Sequence, residues 1–361
     1  MGCREDVKMN HHKRLILTII MVVILIIIVT LDIFSKRAYN APISKDEFCL
    51  GTLCKISVYD KVNEKVLDRA YDKIGEIESK ITVNNADTSE IIELNNAAGK
   101  HAVKISKDTL KILKKGIYYS QLSQGKFDIT IGGISKLWNI GTNKEAIPNQ
   151  MDLQNAIKHV DYRTLQIDES SNTAMLKKEG TKIDLGGLAK GYIADEVAIV
   201  LANNDVKNAL INLGGNILTM GSNPSSNHWN IHIQDPYATR GSILGSIKIK
   251  NNSNKSVVTS GTYERFFEYK GKRYHHIIDS KTGYPVENEL LSVTIIADKS
   301  SNADGMSNCV FQFGLKGGMD LVKKVRNIDA VFITKYKKIY ITDGLKGNFT
   351  LTNNEYTLIA N

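Results

Sequence analysis

Apolar residues change their spacing several times along the chain, and each change predicts an element. Residues 15–31 form an uncharged run broken only by Thr18 and Thr30. Such a run predicts a helix of about 25 Å, or about 28 Å with Ile33 and Phe34, close to the thickness of bilayer hydrocarbon. Over 51–59 apolar and polar positions alternate, the period of a half-buried strand. Val66, Ala70, Ile74, Ile77 and Ile81 then recur at helical spacing within 62–81. Residues 89–95 read as a short capped helix, 108–120 as a longer one and 195–202 as the continuation of another. Later, 266–269 and 273–274 flank Lys270-Gly271-Lys272, and 331–334 precedes 338–342; both pairs read as hairpins. Helices and strands mix without a βαβ rhythm. The pattern therefore predicts an α+β fold of mixed sheets with flanking helices, not a doubly wound parallel sheet.

Composition narrows the class. The length of 361 residues allows one large domain or two of ordinary size. With 42% hydrophobic and 24% charged residues and five prolines, the chain is neither disordered nor a Pro-rich linker. The net charge is +9, and +6 remains once the first 41 residues are set aside. That mild excess suits an anionic surface or ligand and falls far short of a nucleic-acid stripe. Cys3, Cys49, Cys54 and Cys309 show no metal spacing. Cys49 and Cys54 are read within one extended segment, where they point to opposite faces. No disulfide is expected between them, and the cysteines read as small buried apolar residues.

Charge also orients the apolar run. Four Lys/Arg precede it and two follow, which favours a cytoplasmic N-terminus. A cleaved signal peptide has a shorter apolar core and a small-residue cleavage site, and Tyr39-Asn40-Ala41 matches that poorly. The expected organisation is a cytoplasmic tail at 1–14, a transmembrane signal anchor at 15–35, a linker at 36–47 and an extracytoplasmic domain at 48–361. The protein is thereby expected at the cell membrane as a single-pass protein.

The common nucleotide and hydrolase signatures are absent: no G-x-x-x-x-G-K-[ST], no G-x-G-x-x-G, no H-E-x-x-H and no G-x-S-x-G. Glycine clusters remain. In Asp184-Leu185-Gly186-Gly187-Leu188-Ala189-Lys190-Gly191, a strand at Lys182-Ile183 is read as running through paired glycines into a helix. That junction lets backbone amides approach an anion, with Lys190 as a point charge, though a tight turn with a solvated lysine explains it as simply. Asp304 and Asn308 stand four apart, on one face if helical, and suit a hard cation completed by phosphates and water. Taken alone, Asp304 reads rather as the cap of a helix running to Phe313. His275 and His276 are adjacent on a strand, so at most one faces a given site.

Taken together and in order, these segments resemble the ApbE family of FAD:protein FMN transferases. The resemblance covers 50 to about 314 and rests on several segments. They are Leu50-Gly51-Thr52, Ser89-Glu90-Ile91 with Leu94-Asn95, Gly125-Lys126-Phe127-Asp128, Leu137-Trp138 and the Asp184–Gly191 cluster. Asn212-Leu213-Gly214-Gly215, Thr259-Ser260-Gly261-Thr262-Tyr263-Glu264-Arg265, His276-Ile277-Ile278-Asp279 with Thr282-Gly283, and Ala303-Asp304 follow. The resemblance implies an extracytoplasmic α+β domain that binds FAD and Mg²⁺ and transfers FMN to a Ser/Thr hydroxyl of a partner protein, releasing AMP. A membrane or surface redox protein is the implied acceptor, and no nucleic acid is involved. Phe127, Asp128, Asp184, Lys190 and Ile278 fall on FAD-contact positions, and Leu50 and Lys126 sit beside such positions. The Gly187 carbonyl, Asp304 and Asn308 fall on metal positions. Three positions depart from the family pattern: Leu50 for Met, Asn85 near a usual aromatic, and Asn308 for Thr. His276 is the candidate general base, because imidazole titrates near neutrality, and Lys190 the candidate for offsetting leaving-group charge. FAD hydrolysis to FMN and AMP, or a surface flavin-binding electron carrier, are the competing readings.

Overall fold

The computed structural model describes residues 11–39, 41–84 and 86–359. The tail expected at 1–14 falls largely outside them, as do Cys3 and Asn85. The chain divides into a unit at Met1–Ile43 and a much larger one at Ser44–Asn361. The first holds the helix His11–Tyr39, on which Leu15, Ile19, Met21, Leu25 and Ile28 are each about half or more exposed. Counted over the described residues, no helix is long and apolar enough to cross a membrane.

A nine-stranded sheet organises the second unit. Its order is Ile43–Cys49, Thr52–Val58, Ala209–Leu213, Asn216–Met220, Ser256–Gly261, Leu290–Ala297, Ile328–Thr334, Lys338–Ile341 and Thr357–Leu358. From Thr52–Val58 onward the strands pair antiparallel except at the far edge, where Lys338–Ile341 meets Thr357–Leu358 in parallel. Two layers cover its middle. A second sheet, Phe349–Leu351, Ile243–Lys250 and His228–Gln234, lays Trp229, Ile231, Leu244 and Ile247 against Val257, Ile296, Val331 and Ile333. The helices Ala189–Ala202 and Ser300–Gln312 pack on strands of the same sheet. Leu290–Ala297 is consequently apolar or buried on nearly every residue, because neither face meets water.

Residues 82–188 form an excursion between the helices Lys65–Ile81 and Ala189–Ala202. It carries Glu90–Asn96, Lys107–Leu122, Gly132–Trp138, Gln150–Ile157 and a small sheet of Val103–Lys104, Thr173–Leu176 and Leu165–Asp168. Ser89 caps the first of these helices, accepting the Ile92 N–H at 3.0 Å, as its position before Glu90 predicts. Ile134, Trp138 and Leu153 meet Ile278 in a separate apolar cluster, which joins the excursion to the later chain.

Three expectations change. Lys182-Ile183 is not a strand; Lys182 makes an isolated parallel bridge to Ile131. Asp304 does not cap a helix, since the helix begins at Ser300, and its first N–H groups are accepted by Asp195 from the neighbouring helix, at 2.8 Å and 3.0 Å. The segment around Cys49 and Cys54 is not one extended strand. Leu50 and Gly51 both take positive φ, 54° and 67°, and make the two-residue turn that favours a hairpin. Ser44 and Ser57 bond across it at 2.8 Å, which places Cys49 opposite Thr52 and Cys54 opposite Glu47. Both cysteines therefore share the inward face.

The helices Ala189–Ala202 and Ser300–Gln312 approach closely at Gly191. A Cβ there would collide with the Ser300 carbonyl oxygen and lie 2.6 Å from Asp304 Cβ. Gly191→Ala should lower unfolding free energy by about 1–3 kcal/mol, read from the urea midpoint, because backbone at a packed crossing yields poorly. An unchanged midpoint would show that the crossing is slack.

Candidate active site

A cleft of about 620 Å³ opens where the excursion faces the large sheet, a size that suits a cofactor-sized ligand. One wall comes from 127–142, the floor from 182–190, and the far side from 258–266, 276–278 and the helix Ser300–Gln312. The segments are far apart in sequence, so specific bonds tie them. Asn95 brackets Ile183, accepting its N–H at 2.6 Å and donating to its carbonyl at 3.1 Å. Trp138 Nε1 donates to the Gly283 carbonyl at 2.7 Å.

Asp304 is the chemical centre. Its carboxylate accepts the Gly191 N–H through Oδ2 at 2.8 Å. The second oxygen has no hydrogen-bond partner among the described residues, and the residue lines the cleft. Burial pushes the Asp304 carboxyl up to about 6, while the Lys190 charge and the Gly191 N–H pull the other way. Lys190 enters the cleft from the first turn of the helix Ala189–Ala202, whose start has no side-chain cap. Asn308 stands one turn beyond Asp304 and donates through Nδ2 to the Gly187 carbonyl at 2.9 Å and the Asp304 carbonyl at 3.2 Å.

These groups fit a hard cation. A buried carboxylate without a full set of partners is costly, and an ion removes that cost. The Gly187 carbonyl and the Asn308 amide lie beside it, and the amide nitrogen now bonds the Gly187 carbonyl that a cation would. Ligation through Asn308 Oδ1 requires a half-turn of that amide. Gly187 is tightly enclosed: a Cβ there would lie 3.0 Å from the Phe127 ring and 3.4 Å from Asn308 Nδ2. Among the described residues no three His, Cys, Asp or Glu side chains gather as a metal cage. The set therefore suits magnesium completed by ligand oxygens better than zinc.

His276 reaches the cleft from the turn after the hairpin Phe266–Tyr269 and Lys272–His275. Its Nδ1 lies 3.2 Å from the Arg265 carbonyl. A carbonyl only accepts, so Nδ1 carries the hydrogen and Nε2 keeps its lone pair. Neighbouring protein atoms and the Arg265, His275 and Lys190 charges lower the imidazole from its ordinary range, though the residue itself is exposed to solvent. The ring is thus neutral near neutrality, which leaves the Nε2 lone pair free but makes it a weaker base than an ordinary imidazole. His275 faces away, its Nε2 3.1 Å from the Val286 carbonyl, so the two histidines divide as strand geometry predicts.

The remaining expected residues sort by what they touch. Phe127, Asp184, Gly187 and Ile278 line the cleft with Lys190, His276, Asp304 and Asn308. Asp128 lines it too, but its oxygens are engaged by the Thr130 N–H and hydroxyl, at 2.8 Å and 2.7 Å, and by the Tyr162 N–H at 2.9 Å. It shapes the Phe127 loop, and burial raises its carboxyl. Asp184 Oδ1 accepts the Gly186 N–H at 2.8 Å and so sets the glycine turn. Leu50 and Lys126 do not line the cleft. Leu50 is held by its N–H on Glu78 at 3.0 Å, and Lys126 lies over the Phe313 ring. Residues without a separate role in the sequence reading also border the space, among them Lys136, Arg240, Arg265 and Gln312. Lys136, Arg240 and Gln312 belong to none of the quoted motifs, so only the fold brings them in.

Comparison with known proteins gives the family. The ApbE family model matches residues 50–332. The FAD:protein FMN transferase of Klebsiella pneumoniae (strain 342) is 34% identical over 320 residues, covering 89% of this chain and 98% of that protein. The FAD:protein FMN transferase of Treponema pallidum (strain Nichols) is 32% identical over 327 residues, covering 86% and 89%. Among solved structures, the ApbE protein of Thermotoga maritima superposes with a TM-score of 0.77 at 28% identity, over 85% of this chain and 99% of that one. With the family model spanning most of its length and the site residues converging on one cleft, the chain belongs to the ApbE family.

Proposed function

We propose that this chain is a transferase that moves FMN from FAD to a Ser or Thr hydroxyl of a partner protein and releases AMP, with Mg²⁺ as its cation. The observation that carries the reading is the buried Asp304 carboxylate, one oxygen open to a cofactor-sized cleft, beside Lys190. The named relatives are FAD:protein FMN transferases, which supports the choice of substrate.

The reaction exchanges one phosphate ester for another: the acceptor oxygen bonds the flavin-side phosphorus, and the bond to the AMP oxygen breaks. Such transfer depends mainly on positioning and charge neutralisation. Bound at Asp304, Asn308 and the Gly187 carbonyl, Mg²⁺ would supply charge neutralisation on the diphosphate. Lys190 adds a fixed positive charge on the same side. His276 takes the hydroxyl proton at Nε2, and its Nδ1–H bond to Arg265 fixes the tautomer that allows this. Phe127 and Ile278 offer apolar surface to the ring system. The apolar run at 15–35 would anchor the chain as a single pass, with the catalytic domain outside the cytoplasm and membrane or surface redox proteins as acceptors.

Incubation of the protein with FAD, Mg²⁺ and candidate envelope redox proteins should leave in-gel flavin fluorescence on one acceptor. Free FMN and AMP with no labelled protein would favour hydrolysis. Asp304→Ala should lower transfer about 100-fold or more. His276→Ala should lower it by about 10²–10⁴-fold. Near-normal turnover of the histidine variant would remove His276 as the base.

The Asp304 shift also predicts a pH dependence. Its folded value of about 6 exceeds the ordinary 3.8, so the folded state holds the proton more tightly. The stability this gives is fully present below 3.8 and is lost as pH rises through 6. Without Mg²⁺, Asp304→Asn should therefore unfold at higher urea at pH 8, by up to about 3 kcal/mol, and show no such gain at pH 4. Identical curves at pH 8 would contradict the buried charge. For the anchor, removal of residues 1–40 should shift the protein from the vesicle pellet to the supernatant. A full chain that stays in the supernatant would sink the membrane assignment.

A further inference from the structure

The hairpin Ile43–Cys49 and Thr52–Val58 holds a pair of thiols that the transfer chemistry does not use. Cys49 and Cys54 lie diagonally on its inward face, either side of the Leu50–Gly51 turn. The Cys54 thiol donates to the Cys49 carbonyl, Sγ to O 3.6 Å, and the two thiols lie close enough to influence each other's ionisation. Both are free thiols, Cys49 half-buried and Cys54 fully buried. The frame around them is firm. The Tyr71 hydroxyl lies 2.8 Å and 2.9 Å from the Lys45 and Cys54 carbonyls, and Glu78 accepts the Leu50 N–H at 3.0 Å. The hairpin borders the cleft through Gly51 and Thr52.

We propose that Cys49 and Cys54 are a redox modification site, closing to an intramolecular disulfide at the lip of the cleft when a disulfide donor is present. The Cys49 thiolate, the more accessible, attacks the donor disulfide and releases one donor thiol. The Cys54 thiolate then attacks Cys49 Sγ and releases the second. Two protein thiols are thereby oxidised, one donor disulfide is reduced to two thiols, and the two protons lost from the cysteines end on the donor. The environment divides these roles. Exposure, not ionisation, gives Cys49 the first step, since Cys54 and burial push the Cys49 thiol up; the Lys190 charge favours the Cys54 thiolate in the second. Cys309 offers a contrast, because burial alone pushes its thiol up and it has no cysteine neighbour. The ring closed by the bond is short, so its effect on overall stability is small and its main effect is to fix the turn beside Gly51 and Thr52.

The test uses the full chain equilibrated with reduced and oxidised glutathione, quenched in acid, alkylated and digested with trypsin. Residues 46–55 leave as one peptide that contains both cysteines. The expected result is a peptide lacking two hydrogens and refusing alkylation, with Cys309 still alkylated. The equilibrium constant should exceed that of the same chain in urea by at least about tenfold, since the fold holds the thiols together. Two alkylated cysteines, glutathione retained on Cys49 alone, or a constant no larger than in urea would each overturn the proposal. Cys49→Ser should abolish closure and leave Cys54 unmodified; glutathione accumulating on Cys54 in that variant would overturn the assigned order of attack. None of these readouts depends on flavin transfer, so they stand apart from the proposed activity.

Discussion

Removal of one carboxylate from water governs the architecture around the cleft. Asp304 sits where two helices cross, and the crossing is close because Gly191 has no side chain. Its carboxylate receives a backbone N–H and the field of a nearby lysine, which is less than a fully buried anion requires. On the proposed reading, that deficit is what a cation would relieve. A charge satisfied by the protein alone would have no use for a cation or for the oxygens a cation brings. The same crossing fixes the axial position of Asn308, one turn along, so the helix presents both residues to one space.

Everything else holds that helix still. Asp195 caps its start from the adjoining helix, and the Asn216 side chain accepts from the Ser300 hydroxyl at 2.5 Å. The buried Ser307 hydroxyl is paired as well: it bonds Ser260 at 2.7 Å, tying the helix to the central strand Ser256–Gly261, which contributes to the far wall. Polar residues on a buried helix look unfavourable in isolation, yet Ser300, Ser307 and Asp304 each have a partner on a different element, which makes the position of the helix specific. Only a few groups escape this, such as Gln312 Oε1, which is buried without a partner while its nitrogen holds the Ile278 carbonyl.

The legibility of the chain varied with the range of the interaction. Ser89 before Glu90, and the hairpin at 266–275, depend on neighbouring residues and stood out in the pattern. The ordered motifs located most of the cleft, because Asp184, Gly187, Lys190, His276, Asp304 and Asn308 all face it. Long-range features did not show. Nothing near Ser300 announces that Asp195, 105 residues earlier, caps the helix, so Asp304 took that role by default. The strand alternation ran through Leu50 without a break, because leucine rarely adopts φ of 54° and gives no turn signal; the hairpin and the pairing of the thiols were hidden with it. Asp128 lines the cleft as expected by position, but the engagement of both its oxygens by its own loop and by Tyr162 was not legible in the sequence.

The bracket made by Asn95 on Ile183 reaches beyond local geometry. The two residues lie 88 apart, and both backbone groups of Ile183 are claimed by a single amide. The floor of the cleft is thereby set before any guest arrives, and its glycines need no ordering at the moment of encounter. Binding free energy is then spared the entropic toll of a folding loop. A guest that matches this preset floor is held at full strength, and one that does not finds little flexibility to accommodate it.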